Sequence, residues 1–362
     1  MAVRSRVLAH ALGRRLGRAP RARPGEVRRA LIAHHLLAGD TLMLTPLLAK
    51  LRERYPRAEL VMTVRPALLP LYATRPYGVR ALPFDPRDGA SLDALLRDRG
   101  YDLALVPGDN RYSWLAAALD AAWVIAFAGD RPAHKSWMVD ELVPYSDTPM
   151  AWADMNTLLV EGPVPKQFSP ADWPAPPAAA FKAPSGRYAV CHVGAGSPLR
   201  FWEPVKWRAL AAELKRRGHE VVWSAGPGEE RIVEEIDPAR EHVSYAGVLD
   251  LAQMWRLLSA ASLLVTLDTG IAHLAKVTAT PTVTLYGPGS AVLFGRGAFW
   301  RSAPFREVTL ADFPCRDQRT LFKRRIEWAR RCQRTLAECA EPRCMQAIGV
   351  ERVLAAVSSL GL

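Results

Sequence analysis

The chain has 362 residues, which suits two domains better than a single hydrophobic core. Hydrophobic residues make up 49% of it, which excludes a wholly disordered chain, and no apolar run approaches the roughly 18 residues of a transmembrane helix. The formal net charge of +12 either attracts an anionic partner or reflects the abundance of arginine. The sequence carries no zinc-finger or RNA-binding motif, so we expect no nucleic-acid partner.

Strands and helices alternate through the first part of the chain. Strands are predicted at 28–35, 59–64, 79–84, 102–106 and 122–127, and helices at 92–99, at 114–119 and between the first two strands. This first helix carries Pro46 in its first turn, and Gly39 and Asp40 precede it. Such alternation is typical of a doubly wound parallel sheet.

A proline-rich stretch follows, and the alternation then restarts. Strands are predicted at 188–193, 220–224, 263–267 and 282–286, and helices at 204–217, at 251–260 and from 270 to 277. We divide the chain into a basic N-terminal extension (1–27), a first Rossmann-like domain (28–165), a linker (166–186), a second Rossmann-like domain (187–345) and a C-terminal helix (346–362). The predicted fold class is α/β, with two Rossmann-like doubly wound parallel-sheet domains facing across a cleft.

A glycine turn follows the first strand of the second domain, with the sequence HVGAGS at 192–197. Glycines at a strand end let backbone N–H groups approach a phosphate, so Gly194, Gly196 and Ser197 are candidate nucleotide-binding residues. An ordinary tight turn has the same pattern. The third glycine of the dinucleotide-binding fingerprint is missing, which disfavours an NAD enzyme.

A second candidate phosphate site is the start of the helix at 270–277. Asp268, Thr269 and Gly270 follow an apolar strand, and a helix start offers free N–H groups and partial positive charge to a diphosphate. Alternatively, Asp268 or Thr269 is an ordinary helix cap. His273 is either a phosphate donor or a core histidine.

Arg200 and Asp40 are the candidate catalytic residues. Arg200 either neutralises a leaving phosphate or is a solvated loop arginine, and nearby Trp202 either packs on a base or sugar or fills the core. Asp40 lies in a strand-to-helix connection, where a carboxylate can act as general base toward an acceptor hydroxyl. The alternative for Asp40 is a turn or helix-cap residue after Gly39.

Together, three ordered segments resemble glycosyltransferase family 9, the ADP-heptose:lipopolysaccharide heptosyltransferases. They are the Gly-Asp pair with Pro46 and Tyr55-Pro56, the segment His192 to Gly196 with Arg200, Trp202 and Trp207, and Asp268-Thr269-Gly270 with His273 and Tyr286-Gly287-Pro288. The resemblance implies a GT-B fold and an inverting transfer of heptose from ADP-heptose to a lipopolysaccharide inner-core acceptor. It also implies that the transfer needs no metal or other cofactor.

The resemblance also assigns roles to individual residues. Asp40 would deprotonate the acceptor hydroxyl, and Arg200, where relatives often carry lysine, would stabilise the departing ADP. Thr269 and Gly270 would bind the diphosphate, and Asp268 would contact sugar hydroxyls. Glu230, or its neighbour Glu229, would contact the ribose hydroxyls.

Four cysteines near the C-terminus are a separate candidate site: Cys315, Cys332, Cys339 and Cys344. Their spacing matches no standard zinc pattern, and no CxxC occurs. A branch related to the family holds iron through four cysteines. We expect reduced structural thiols and no metal, with a metal cluster as the alternative.

Basic segments indicate where the protein acts. The N-terminal extension is rich in arginine without the apolar stretch of a secretory signal, and the insertion at 312–334 is also basic. We therefore expect a cytoplasmic protein that is peripheral at the inner face of the inner membrane, where a lipid-anchored oligosaccharide acceptor lies. The insertion is alternatively a solvated helix.

Two other functions fit the same sequence. One is a glycosyltransferase of this fold that uses another nucleotide sugar or a protein acceptor. The other is a catalytically inactive, membrane-associated scaffold.

Overall fold

The computed structural model of the protein describes residues 3–16, 22–310 and 313–362, and these residues divide into two compact units. The N-terminal unit takes the described residues up to Lys166, with Ala171–Pro174 and Thr320–Trp328. The C-terminal unit takes Gln167–Pro170, Ala175–Arg319 and Ala329–Leu362. Each unit is thus built from more than one stretch of sequence.

The N-terminal unit contains a parallel sheet. Its strands are β1 (Arg29–Ile32), β2 (Glu59–Val64), β3 (Val79–Pro83), β4 (Tyr101–Val106), β5 (Ala121–Phe127) and β6 (Glu141–Val143). They lie in the order β3-β2-β1-β4-β5-β6, and every paired neighbour is parallel. The central strands are almost entirely buried, as expected for a sheet covered on both faces.

Helices connect these strands. They are α1 (Val3–Leu16), α2 (Ala38–Leu42), α3 (Thr45–Arg54), α4 (Gly89–Arg97), α5 (Ser113–Ala118) and α6 (Trp152–Met155). Pro46 lies in the first turn of α3, as predicted. Asp88 caps α4 by accepting from the backbone N–H groups of Ala90 and Ser91.

The segment 1–27, expected to be a basic extension, contains helix α1, whereas residues 1, 2 and 17–21 of that segment lie outside the described part. Val3 and Ala11 of α1 are buried. Ala11 belongs to a small apolar cluster with Trp114 and Ala117 of α5 and with Met138. Arg6 also forms an ion pair with Asp93 of α4. Helix α1 therefore packs on the N-terminal unit.

The C-terminal unit contains a second parallel sheet. Its strands are β7 (Tyr188–His192), β8 (Glu220–Ser224), β9 (Val243–Ser244), β10 (Leu263–Leu267), β11 (Thr282–Tyr286) and β12 (Phe305–Thr309). They lie in the order β12-β11-β10-β7-β8-β9, again with parallel neighbours. The two doubly wound parallel-sheet halves predicted from the alternation are confirmed.

Helices also flank the second sheet. They are α7 (Pro204–Arg216), α8 (Glu230–Ile236), α9 (Leu251–Ala260), α10 (Gly270–Thr278), α11 (Ala291–Phe294), α12 (Arg343–Gln346) and α13 (Val350–Ser358). A large apolar core lies beneath α7 and α13, and within it Trp207 packs edge-on against Trp202 and Trp223. Trp202 is buried and donates its indole N–H to the carbonyl of Ile348, so it fills this core.

Several predicted boundaries were wrong. The first strand ends at Ile32 instead of reaching 35, and the short strands β6, β9 and β12 were missed. The solvated helix considered for 312–334 is also wrong. Within the described part of that insertion the chain forms an antiparallel hairpin, β13 (Thr320–Leu321) with β14 (Arg324–Arg325), which belongs to the N-terminal unit. Asp312, where the insertion begins, lies outside the described residues.

Candidate active site

The strand order of each sheet indicates where a ligand binds. In a doubly wound sheet, ligands bind beyond the carboxyl ends of the strands at the point where the strand order reverses. This point lies between β1 and β4 in the N-terminal unit and between β7 and β10 in the C-terminal unit. Asp40 follows β1, the glycine turn follows β7 and Asp268 follows β10.

Asp40 lies in the first turn of α2, and its side chain is half-buried. The N-cap residue of α2 is Leu37, so the alternative of Asp40 as a helix cap is wrong. A carboxylate in a first turn is favoured by the helix dipole. Asp40 is therefore a partly accessible carboxylate at the reversal point of the first sheet.

The connection from β1 to α2 is held by polar contacts. The backbone of His34 is bonded in both directions to the hydroxyl of Thr63, with N–O and O–O distances of 2.8 and 2.7 Å. Leu36 donates its backbone N–H to Nδ1 of His34 at 3.1 Å and accepts from Nε of Arg65 at 2.9 Å. These contacts fix the segment that leads into Asp40.

Two residues that our sequence analysis did not name lie at the same edge. The His35 ring packs between Phe84 and Tyr112, with centroid distances of 6.1 and 6.4 Å, and burial lowers its pKa, with the positive charge of Arg65 adding to the effect. Both His35 and Arg65 come just after a strand. This position could have identified both as candidate site residues from the sequence, because the carboxyl ends of parallel strands meet at one edge of the sheet.

In the C-terminal unit, Arg200 and Asp268 lie in direct contact. Arg200 ends the short 3-10 helix Pro198–Arg200, for which Ser197 is the N-cap residue. Its Nη1 donates to the backbone carbonyl of Asp268 at 2.6 Å. The guanidinium is thus held beside the start of α10, where a phosphate would be stabilised by both the helix and the arginine.

The Asp268 carboxylate is buried at only 5% exposure, and among the described residues its Oδ2 atom has no hydrogen-bond partner. A Cβ atom on Gly289 would lie 2.1 Å from this Oδ2, so the carboxylate occupies space that only glycine leaves open. Burial raises the pKa of Asp268, and the nearby charges of Arg200, Arg331 and Lys276 oppose that rise. A buried carboxylate oxygen that lacks a donor is suited to accept from a ligand hydroxyl.

Helix α10 begins at Gly270, and Thr269 is its N-cap. The Thr269 hydroxyl accepts from the backbone N–H of Ile271 at 3.3 Å, so the helix-cap alternative holds for Thr269. His273 is buried, and its Nδ1 lies 3.3 Å from Nζ of Lys276. Burial holds the pKa of His273 well below its ordinary value, and the charge of Lys276 adds to this effect. His273 is therefore a neutral core histidine.

The glycine turn after β7 packs against Glu229. A Cβ on Gly194 would lie 1.9 Å from Oε2 of Glu229, and this oxygen accepts from the backbone N–H of Gly226 at 2.8 Å. A Cβ on Gly196 would meet open space within the described structure. The close approach of the Glu229 carboxylate therefore explains why residue 194 is a glycine. This agrees with the alternative that the segment is an ordinary tight turn.

Glu230 lies elsewhere. Its Oε1 accepts from the backbone N–H of Gly228 at 3.0 Å and fills the space beside Gly247. The structure therefore brings Glu229, the neighbour considered as its alternative, against the glycine turn. The two neighbouring glutamates thus contact different glycines, and the motif spacing alone could not tell which of them lies beside the glycine turn.

The chain is similar to known proteins in both sequence and fold. The family model "Glycosyltransferase family 9 (heptosyltransferase)" matches residues 90–324, more than half of the chain. The chain belongs to glycosyltransferase family 9. The predicted family and the predicted enzyme class, a glycosyltransferase, are confirmed.

One sequence relative and two solved structures each align with most of the length of this family 9 enzyme. It is 25% identical over 313 residues to lipopolysaccharide heptosyltransferase 3 of Escherichia coli, which covers 78% of this chain and 89% of the relative. A solved family 9 glycosyltransferase of Veillonella parvula aligns with a TM-score of 0.70 at 16% identity, covering 92% of this chain and 97% of that one. The solved ADP-heptose heptosyltransferase II of E. coli aligns with a TM-score of 0.68 at 20% identity, covering 92% and 98%. The predicted GT-B fold class is confirmed.

The cysteines of the family 9 enzyme form no metal site in the described structure. Among the described residues, which include all four cysteines, no group of three or more His, Cys, Asp or Glu side chains is arranged to hold a metal. The guanidinium of the buried Arg316 lies within electrostatic reach of Cys315, Cys332 and Cys344. The guanidinium therefore places a positive charge near these three cysteines.

In the described part of the chain, no helix combines the length and apolar character needed to cross a bilayer.

Burial of His192 predicts how stability changes with pH. Burial lowers the pKa of His192 to about 4 from the ordinary 6.5, and its Nδ1 lies 3.0 Å from the hydroxyl of Ser224. Between these two pH values only the unfolded chain binds the proton. The contribution of neutral His192 to the free energy of unfolding is therefore fully present above pH 6.5 and is lost as the pH falls toward 4. Between pH 7 and pH 5, we expect wild type to lose about 2 kcal/mol more stability than His192→Asn loses.

The measurement is urea unfolding of both proteins at the two pH values. The asparagine keeps a polar partner for Ser224 but does not titrate. An equal loss of stability in wild type and variant would show that His192 is protonated in the folded protein.

Proposed function

We propose that this glycosyltransferase moves heptose from ADP-heptose to a lipopolysaccharide inner-core acceptor. The observation that carries the proposal is the buried Asp268 carboxylate, which lies beside the start of α10 and the guanidinium of Arg200. One of its oxygens has no hydrogen-bond donor among the residues that the structure describes. A sugar hydroxyl supplies the missing donor, and a diphosphate suits the helix start and the arginine. One relative, which covers 78% of the chain, is itself a lipopolysaccharide heptosyltransferase.

In the proposed reaction, Asp40 accepts the proton of an acceptor hydroxyl as that oxygen attacks C1 of the heptose. The bond between C1 and the β-phosphate oxygen breaks, and ADP leaves with the electron pair. The single displacement inverts C1. Arg200 and the N–H groups at the start of α10 stabilise the negative charge that develops on the departing diphosphate. No step uses a metal or another cofactor.

The acceptor in this proposal is a lipid-anchored oligosaccharide, so the protein works at the inner face of the inner membrane. Support comes from the net charge of +12, because anionic lipid attracts arginine and lysine by about 1 kcal/mol per residue near the surface.

Nucleotide preference is tested by thermal unfolding with ADP-heptose, ADP, and UDP- and GDP-sugars at equal concentrations. A ligand that binds only the folded protein stabilises it by about 2.7 kcal/mol at a concentration of 100 times its Kd. We expect ADP and ADP-heptose to raise Tm and the other nucleotides to leave it unchanged. Stabilisation by UDP or GDP compounds alone would favour the alternative of another nucleotide sugar.

The acceptor is tested by following ADP release from ADP-heptose with and without a lipid A–Kdo acceptor. We expect release that depends on this acceptor. Nucleotide binding without turnover of this acceptor would point to a different acceptor, such as a protein. Salt-sensitive binding to anionic vesicles without any nucleotide binding would favour the inactive scaffold.

A further inference from the structure

Arg324 is a buried arginine in hairpin β13–β14, with a side chain only 2% exposed. Its guanidinium reaches the ends of two strands of the N-terminal unit. Nε donates to the carbonyl of Ala128 at 2.9 Å, Nη1 to the carbonyl of Gly108 at 2.5 Å, and Nη2 to Oδ1 of Asn110 at 2.6 Å. Gly108 and Asn110 follow β4, and Ala128 follows β5, so one side chain fixes the carboxyl ends of both strands.

A buried ion network completes the arrangement. The Asp130 carboxylate is fully buried, with Oδ2 at 3.4 Å from Nη2 of Arg324 and Oδ1 at 3.0 Å from Nζ of Lys135. Oδ2 also accepts from the backbone N–H of Asn110 at 2.8 Å. Buried charges hold their positions strongly because each partner left alone is poorly solvated. Removing Arg324 would therefore take one cationic partner from the buried Asp130 carboxylate, next to the strand ends that Arg324 contacts.

The same strand end packs against the segment that carries Asp40. Gly108 has a φ of +83°, and a Cβ placed on it would lie 3.0 Å from Cδ2 of Leu36 and 3.7 Å from the Phe322 ring of the hairpin. Leu36 lies in the connection from β1 to α2, just before Asp40. The hairpin thus supports one wall of that connection through Gly108.

Tyr145 provides a second link between the hairpin and Asp40. The Arg324 guanidinium lies 5.5 Å from the centre of the Tyr145 ring. Burial raises the pKa of Tyr145, and the charge of Asp40 adds to that effect, so Asp40 lies within electrostatic reach of the same ring.

We propose that Arg324 is a positioning residue for Asp40. By fixing the ends of β4 and β5 from a hairpin about 200 residues further along the chain, it holds the 33–42 segment in the geometry that the general base requires. The catalytic part of this inference rests on the proposed function, whereas the structural part does not.

The experiment compares Arg324→Lys and Arg324→Gln with Arg325→Gln. Arg325 is the matched control because it is the next residue, its side chain is 75% exposed and it forms an ion pair with the nearby Glu327. The lysine keeps the charge that balances Asp130 but cannot reach three acceptors as a planar fork, so it is expected to fold. Amide hydrogen exchange is measured over residues 33–44, together with kcat and the KM for the donor.

We expect faster exchange at 33–44 in both Arg324 variants and not in Arg325→Gln. A displacement of about 1 Å costs roughly 10²-fold in rate, so kcat should fall by about that factor in Arg324→Gln and by less in Arg324→Lys. The donor KM should stay within about twofold of wild type, because the donor residues belong to the other unit.

Three results would overturn the proposal. The first is exchange at 33–44 unchanged in Arg324→Lys. The second is wild-type kcat in that variant. The third is failure of Arg324→Lys to fold, which would make Arg324 a general determinant of folding. If wild-type protein shows no turnover of ADP-heptose, the proposed function fails, and the exchange measurement still decides the structural inference.

Discussion

Replacing Asp40 with asparagine is expected to lower kcat by about 10²–10⁴-fold, the usual contribution of a general base. The amide is nearly the same size as the carboxylate but cannot accept the proton of the acceptor hydroxyl. Because Asp40 lies in the first turn of the five-residue helix α2, losing its charge should cost only about 0.3–1 kcal/mol of stability. The measurement is steady-state transfer with ADP-heptose and a lipid A–Kdo acceptor, alongside Tm with and without ADP.

Asp88→Ala is the matched control for this variant. Asp88 is also an aspartate at a helix start of the N-terminal unit, but its carboxylate caps α4 through two backbone N–H groups at 3.0 Å. Its loss should cost about 1 kcal/mol of stability and leave kcat unchanged. The two variants should therefore differ in kcat, although both lose only a little stability. Wild-type kcat in Asp40→Asn would rule out Asp40 as the base, whatever the stability of the protein.

ADP binding separates the base from a structural role. If Asp40 acts only on the acceptor hydroxyl, Asp40→Asn should bind ADP with nearly wild-type affinity, because Arg200 and the start of α10 belong to the C-terminal unit. A parallel loss of ADP affinity and kcat would indicate instead that the substitution disturbs the fold beyond α2.

The sequence predicted the parts of this fold that depend on local patterns. Apolar strands followed by helices gave both parallel sheets, and the residues at the reversal points, Asp40 and Asp268, came from their position after β1 and β10. Both signals are local, because periodicity and helix starts are properties of about ten consecutive residues. The two-residue strand β9 offers no such periodicity, and it was missed.

The contacts of Arg324 could not be predicted in this way. Its partners Gly108, Asn110 and Asp130 precede it by about 200 residues, and nothing in the basic sequence of 312–334 distinguishes Arg324 from the exposed Arg325. An arginine surrounded by other basic residues is most simply read as solvated. Only the tertiary structure shows that Arg324 is buried beside the Asp130 carboxylate and five carbonyl-type oxygens, whereas Arg325 is exposed.

Replacing Arg200 with glutamine is expected to lower kcat by about 10²–10³-fold, the usual cost of removing one donor to a developing negative charge. The Nη1 contact with the carbonyl of Asp268 aims the guanidinium at the start of α10, where the proposed mechanism places the departing diphosphate. Because charge on the diphosphate grows during bond cleavage, the loss should appear more in kcat than in the donor KM. Arg200→Lys should retain more activity than Arg200→Gln, since the ammonium keeps the charge but loses the planar fork.

Arg231→Gln is the control that removes one positive charge from the same unit without touching this site, because the Arg231 side chain is 88% exposed and pairs with Glu235. Its kcat should equal that of wild type, as surface pairs of this kind contribute little.

Transfer rates of the three variants at two salt concentrations separate the local role from long-range attraction. Screening weakens a field acting through solvent, whereas a buried contact at a phosphate is much less affected. Equal losses in Arg231→Gln and Arg200→Gln would mean that net charge, and not the placement of Arg200 beside Asp268, governs the rate.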